Sequence, residues 1–247
     1  MKKIIGDTAH LGMQRLKSAY RRTTQSALNG IQDQSTTAGA ALQWIRDHEL
    51  PTGGIRVHSK MNVAYPEVTG YLVPTLIEYG EKKLAVRLLR WLCAIQRPDG
   101  SYPSPDGIPM IFDTGQVLRG LLAGIDLFEH CEDAARRAAN YLLGRMLENG
   151  AQGYPVCYQG DVPETVLLYT LPPLMDAAKR FNLEQAQASI DRCIDFYSHH
   201  ADFLNVNDLT HFLAYQIEAL IDLGRADAAQ PILDRLVGFQ QTDGSIR

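Results

Sequence analysis

The sequence predicts an all-α fold, a curved or closed ring of helical hairpins in an inner and an outer layer, and three observations predict it. First, a repeat runs along the 247 residues. Trp44, Trp91 and Tyr141 each sit in an amphipathic segment, and each is followed nine residues later by a glycine, Gly53, Gly100 and Gly150. Self-similarity at a period of about fifty residues marks stacked supersecondary units that bury a shared core. Second, two of the loops are nearly the same text, Gln96-Arg97-Pro98-Asp99-Gly100-Ser101-Tyr102 and Gln241-Thr242-Asp243-Gly244-Ser245-Ile246. A glycine just past a periodic segment is the expected helix stop. Third, the segments between the loops alternate in character. Those at 67–79, 113–128, 164–178 and 210–223 are apolar on most faces, whereas 36–49, 81–96, 131–148, 184–198 and 225–240 carry a charged stripe.

That alternation assigns the layers. A helix apolar nearly all round must be covered on all sides and belongs inside, and an amphipathic one buries a single stripe and belongs outside. Turns from inner to outer segments are tight, at Gly80, Gly224 and Asn182, while the outer-to-inner connections are long and rich in Pro, Gly and Tyr. The result is antiparallel hairpins with short turns at one end and long loops at the other. Such hairpins close into an α/α ring or stack as a solenoid. Residues 7–29 form a more polar leading helix or cap within 1–30. The text stops at Arg247 where the next inner helix is due, which predicts an incomplete ring of about five hairpins, a single domain over 1–247, and a natural chain that continues further.

Composition narrows the partners. A charge of −4 offers no basic face for nucleic acid, and 45% apolar with 21% charged residues describes an ordinary globular protein. The apolar runs near Val166–Met175 and Val117–Ile125 are about half of the roughly 20 residues that cross a bilayer, so no membrane span is expected. Asp7 and His10 interrupt the start before a secretion signal can form. Cys93, Cys131, Cys157 and Cys193 are widely spaced without a CxxC, which predicts reduced, packed thiols in a cytoplasmic protein, with no metal and no cofactor. Nucleotide-binding, zinc-protease and serine-hydrolase motifs do not occur.

The inner helices all begin from the long loops, so their N-termini gather at one end, and an acid marks each start: Glu67, Asp113, Glu164 and Asp208. An acid there caps free N–H groups and contributes about 1 kcal/mol, and Asp113 followed by Gln116 reads as a capping arrangement. Four acids around one mouth also supply what glycoside hydrolysis needs, a general acid and a second carboxylate across a cleft. Glu67 and Asp113 are the expected catalytic pair. Tyr65, Tyr71, Tyr102, Tyr154 and Tyr158 fall in or beside the same loops as stacking faces for a sugar or an isoprenoid. Arg56, His58 and Lys60 are candidates for a uronate carboxylate, Gln116, Glu164 and Asp208 for further substrate binding, and His211 for a ligand or proton-transfer group at the mouth.

Trp91-Leu92-Cys93-Ala94-Ile95-Gln96 with Gly100 and Tyr102 resembles the Gln-Trp repeat of squalene and terpenoid cyclases, and 237–246 does so more loosely. The cyclase DxDD acid and the DDxxD motif of ionising terpene synthases do not occur in the sequence. Tyr65-Pro66-Glu67-Val68-Thr69-Gly70-Tyr71 and Phe112-Asp113-Thr114-Gly115-Gln116-Val117-Leu118 are similar to motifs of the toroid proteins encoded among bacterial exopolysaccharide and lipopolysaccharide genes. That resemblance implies an α/α toroid and a carbohydrate role. It implies an oligosaccharide or polysaccharide ligand that the protein binds or processes as a hydrolase, lyase or epimerase, with a non-catalytic scaffold or an isoprenoid-binding ring as the alternatives. Oligomeric state is left open.

Overall fold

The computed structural model describes residues 37–153, 164–200, 203–204 and 210–246. Among these the chain is mostly helical. The elements are α1 (Thr37–Asp47), α2 (Pro66–Glu78), α3 (Lys82–Ile95), β1 (Tyr102–Pro103), β2 (Pro109–Met110), α4 (Ile111–Ala123), α5 (Cys131–Gly144), a 3₁₀ segment (Glu164–Thr170) continuing into α6 (Leu171–Phe181), α7 (Ala186–Ser198), α8 (Thr210–Asp222) and α9 (Ala226–Gly238). The expected leading helix at 7–29, Asp208, Tyr154 and Tyr158 lie outside the described residues.

Consecutive helices pair as hairpins, α2 with α3, α4 with α5, α6 with α7 and α8 with α9. Three of their turns share one chemistry. Gly80, Asn182 and Gly224 take left-handed φ values of 77°, 54° and 75°. The next residue's N–H then returns to a carbonyl of the last helical turn: Glu81 to Leu76, Leu183 to Ala178, and Arg225 to Leu220. This is the reversal glycine and asparagine permit at a helix end. The fourth hairpin differs. Helix α4 ends at Ala123 rather than at 128, and Gly124 to His130 form a looser connection.

One member of each hairpin joins a row, in which α4 packs on α2, the 3₁₀ segment and α6 pack on α4, and α8 packs on the 3₁₀ segment and α6. The expected apolar set forms this row. The amphipathic set buries one stripe each, such as Leu84, Leu88, Leu89 and Leu92 of α3, or Ala134, Ala135, Ala138 and Ala139 of α5. The row helix starting at Glu164 is 3₁₀ for its first turns. Pro172 and Pro173 have no N–H to return to the carbonyls four residues back, so the α pattern cannot begin before Leu171.

The glycine loops repeat atom for atom. In each, the glycine N–H bonds the carbonyl three residues back (Gly53 to Leu50, Gly100 to Arg97, Gly150 to Leu147, Gly244 to Gln241), and that same residue's N–H bonds the carbonyl one past the glycine. Asp99, Asn149 and Asp243 also accept the N–H two residues on, at 3.0, 3.1 and 3.0 Å. The glycines have φ near 90°, and Gly100 and Gly150 lie against the backbones of Arg137 and Arg192 in the following amphipathic helices. The β1–β2 hairpin, pairing Tyr102 with Met110, was not legible in a stretch of proline and glycine. Cys93, Cys131 and Cys193 are free thiols, and no helix among the described residues is long and apolar enough to cross a membrane.

The tightest packing is between α2 and α4. A Cβ on Gly120 would lie 2.3 Å from the Gly70 carbonyl oxygen, and one on Gly70 would lie 2.6 Å from Val117 Cα. Replacing Gly120 with alanine is therefore expected to lower the unfolding free energy by about 1–3 kcal/mol through overpacking, despite alanine's better helix propensity. Gly144→Ala, where a Cβ meets nothing within 4 Å, is the matched control and should hold or gain up to about 1 kcal/mol. Urea melts of the two variants check the contrast.

Candidate functional site

The starts of α2 and α4 are built alike. Thr69 Oγ1 donates to the Tyr65 carbonyl at 2.8 Å and accepts the Ile55 N–H at 2.9 Å; Thr114 Oγ1 donates to the Met110 carbonyl at 2.6 Å and accepts the Tyr102 N–H at 3.0 Å. Each threonine thus clamps the preceding loop to its helix. The clamps align Tyr65 with Met110 and Thr69 with Thr114, so Glu67 corresponds to Phe112 and Asp113 to Val68. The two acids are one residue out of register, about 100° apart around their helices.

Their helices give them different surroundings, because α4 is packed by α2 and also by the 3₁₀ segment and α6. Asp113 is fully buried, whereas Glu67 is partly exposed. Burial pushes the Glu67 carboxyl up to about 8, with the Asp113 charge adding to the rise. Burial also raises Asp113, to about 7, against the opposing pull of the Tyr65 hydroxyl. That hydroxyl lies close enough to favour the carboxylate, yet neither Asp113 oxygen is met at full hydrogen-bonding geometry by a described residue. Neither acid works as an N-cap. The N-cap residues are Tyr65 and Met110, without side-chain cap bonds, and both Gln116 amide atoms are buried without a partner among the described residues, so the expected Asp113–Gln116 capping arrangement does not form.

An aromatic wall stands beside the pair. Tyr169 and Tyr215 stack at 4.4 Å between ring centroids with planes 9° apart, and Phe112 lies 6.4 and 6.1 Å from them. Tyr71 joins the group: burial and then the nearby Glu67 and Tyr215 push its hydroxyl up to about 12. His211 meets Tyr215 edge-on at 5.5 Å, and burial lowers its pKa. The Arg119 guanidinium lies over the Tyr169 ring at 4.6 Å, and the Tyr169 hydroxyl donates to Glu218 at 3.2 Å.

The structure therefore brings together Glu67, Asp113, Tyr65, Tyr71, Gln116 and His211, all from the expected set. It places others elsewhere. Tyr102 is buried under the glycine loop near Cys93, Cys131 and Arg137. Glu164 accepts the Tyr197 hydroxyl at 3.1 Å and lies 3.8 Å from His200 Nε2, which ties it to α7. Within their own loop Arg56 Nη1 donates to the Ser59 carbonyl and His58 Nδ1 accepts the Lys60 N–H, while Arg56 Nε is buried without a partner among the described residues. Tyr169, Tyr215, Phe112 and Arg119 were not singled out in the sequence. Tyr215 follows His211 by four residues on α8, a helical spacing that could have pointed to it. Among the described residues no three His, Cys, Asp or Glu side chains gather as metal ligands. No protein-family profile matches the chain.

The acids make stability depend on pH in a defined direction. Glu67 and Asp113 hold their protons in the folded protein up to about 8 and 7, against ordinary values of 4.5 and 3.8. The folded state binds more protons than the unfolded one across that window, so unfolding free energy falls as pH rises from about 4 to 8, by a few kcal/mol. Glu67→Gln should remove about half of this slope in urea melts at pH 5, 6.5 and 8, and the Glu67→Gln, Asp113→Asn double variant most of it, because burial raises each acid by a similar amount. An unchanged slope would show that the pair is not the titrating element.

Proposed function

We propose that this protein binds and processes an oligosaccharide or polysaccharide precursor of the bacterial cell surface, with Glu67 as the proton-transferring residue and Asp113 as its positioning and tuning partner. The observation that supports this most directly is the pair of neighbouring carboxyls whose burial keeps protons on them near neutrality. A general acid is most effective with a pKa near working pH, and two adjacent carboxyls in unequal environments divide acid and base roles. Glu67 is the member with exposed surface, so it touches the ligand. Asp113 lies behind it and resists Glu67's ionisation. Tyr71, Tyr169 and Tyr215 supply flat faces for the apolar sides of sugar rings, with His211 at the edge.

In this reading the hairpins form an α/α toroid over a single domain, with the row of α2, α4, α6 and α8 as its inner layer. The scaffold alternative makes the acids caps, and their lack of capping bonds disfavours it. A second reading has one observation in its favour. A protonated carboxyl beside stacked aromatic rings also suits an isoprenoid, because such rings stabilise developing positive charge.

A thermal-stabilisation screen of the full chain against neutral and uronate-containing oligosaccharides and a polyprenyl diphosphate separates the two. Stabilisation by a glycan, lost in the Glu67→Gln, Asp113→Asn double variant, is expected. Turnover of that glycan should fall on the order of 100-fold or more in Glu67→Gln alone. Stabilisation by the diphosphate only would overturn the carbohydrate reading in favour of the isoprenoid one.

A further inference from the structure

The glycine loops do more than end their hairpins, because each receives the amphipathic helix of the next one. A Cβ on Gly53 or Gly54 would meet the Trp91 indole of α3 at 2.4 and 2.6 Å. One on Gly100 would lie 2.3 Å from the Arg137 carbonyl of α5, whose Tyr141 hydroxyl senses the charges of Asp99 and Arg97 in the same loop. One on Gly150 would lie 2.3 Å from the Arg192 carbonyl of α7 and 3.0 Å from Phe196 Cβ. Trp91, Tyr141 and Phe196 hold one helical position, four residues after Arg87, Arg137 and Arg192. One contact is thus made three times, an aromatic residue of an amphipathic helix set against the glycine loop before it. Polar bonds fix its register. Glu49, four residues before Gly53, takes Arg87 Nε and Nη2 at 2.8 and 2.6 Å. Gln96, four before Gly100, donates Nε2 to the Ala134 carbonyl at 2.8 Å and accepts Arg137 Nη2.

The described residues leave one half of this contact open at each end of the row. Gly244 is exposed, and a Cβ on it would meet nothing within 4 Å. Ile246 is 42% exposed, whereas Ile55, Tyr102 and Gln152, two residues past the other glycines, are at most 3% exposed. Leu233 of α9 is exposed where Leu42, Leu89 and Ala139, at the same place in their helices, are buried, and Val237 one turn on is exposed as well. Gln240 donates to the Gly244 carbonyl at 3.2 Å as Gln96 does to Gly100 at 3.1 Å, but no described residue takes its second N–H or its Oε1. At the other end, Trp44 of α1 holds the place of Trp91, four residues after Ala40. It is 43% exposed, with His48 stacked on it at 3.7 Å, while Trp91, Tyr141 and Phe196 are half-buried. Ala40 and Ala41 beside it are exposed and small enough to admit a neighbouring backbone.

We propose that this protein associates head to tail with a second copy of itself, α1 of one copy setting Trp44 against the Gly244 loop and the α9 edge of the next. The two open ends are the two halves of a contact the chain makes three times internally, and that match selects a second copy over an unrelated partner. Ala40 takes the place of Arg137 against the glycine. Gln240 gives its second N–H to the Thr37 carbonyl as Gln96 does to Ala134, since Thr37 precedes Ala40 by the same three residues. A large aromatic anchor entering an apolar patch is the usual centre of such an interface. The contact is heterologous, so a dimer still has one free head and one free tail, and assembly grows to a ring or a filament. None of this rests on the carbohydrate reading.

Sedimentation equilibrium of the full chain at rising concentration tests it. Wild type should exceed the monomer mass, and Trp44→Ala should weaken association about tenfold or more. Trp44→Asp, which blocks the head, and Val237→Asp, which blocks the tail, should each stay monomeric. Their equimolar mixture should form a dimer and stop there, because one open head and one open tail remain. Circular dichroism melts establish that both variants fold; should either aspartate fail, Trp44→Ala and Val237→Ser make the same comparison. Monomeric wild type at every concentration, assembly that persists in either blocked variant, or a mixture that stays monomeric would overturn the proposal.

Discussion

The contact between the backbones of α2 and α4 is the constraint on which the candidate site depends. Gly70 and Gly120 let the helices approach until a single added Cβ would overlap a carbonyl oxygen. Glu67 lies three residues before one of these glycines and Asp113 seven before the other, so the crossing that needs no side chains also brings two carboxyls together. The same device continues along the row. A Cβ on Gly115, which corresponds to Gly70 under the threonine alignment, would meet Thr170 at 2.7 Å. Close approach leaves little room for water between the helices, and that exclusion raises both acids above their ordinary range. The scaffold and the chemistry are one arrangement seen at two scales.

A repeated architecture tends to make equivalent positions equivalent, and this site is made by breaking that equivalence. The hydroxyl clamps at Thr69 and Thr114 hold two helix starts in the same geometry, yet the acids fall one residue apart within it. The carboxyl on α4 is sealed, and the one on α2 reaches open surface. Position against the helix start does not decide their burial: Phe112, which matches Glu67, is buried, and Val68, which matches Asp113, is only partly so. Unequal burial is what separates the roles of two identical functional groups, and here it follows from the place of α4 within the row, packed by α2 and by the 3₁₀ segment and α6.

The fold was legible because its signals are local and repeated. Nine helical segments follow from periodicity and from glycine or asparagine at turns, and the loops around Gly53, Gly100, Gly150 and Gly244 share one hydrogen-bond pattern because the residue three after the first bonded N–H must take a left-handed φ. The departures have equally local causes: two prolines force the start of the row helix at Glu164 into 3₁₀ form, and Gly124 stops α4 early. The site was legible only in part. An acid at a helix start is visible in a sequence; whether it points at a neighbour, a loop or solvent is a tertiary fact. Glu67 and Asp113 converge, while Glu164, alike on paper, is held by Tyr197. Tyr169, Tyr215 and Arg119 escaped notice because they lie within helices that read as core, where an aromatic residue ordinarily means packing.

Stability and function pull against each other along α4. An apolar stripe at Asp113, Gln116 and Arg119 would pack the row without leaving buried polar atoms unmet, and desolvated groups of this kind destabilise a fold unless something answers them. Polar side chains on one stripe of one central helix, beginning at an acid pair and ending at a cavity, are poorly explained by packing. Under the carbohydrate reading proposed above, a polar ligand beside Glu67 supplies partners to such groups, and the stability given up in its absence is recovered on binding.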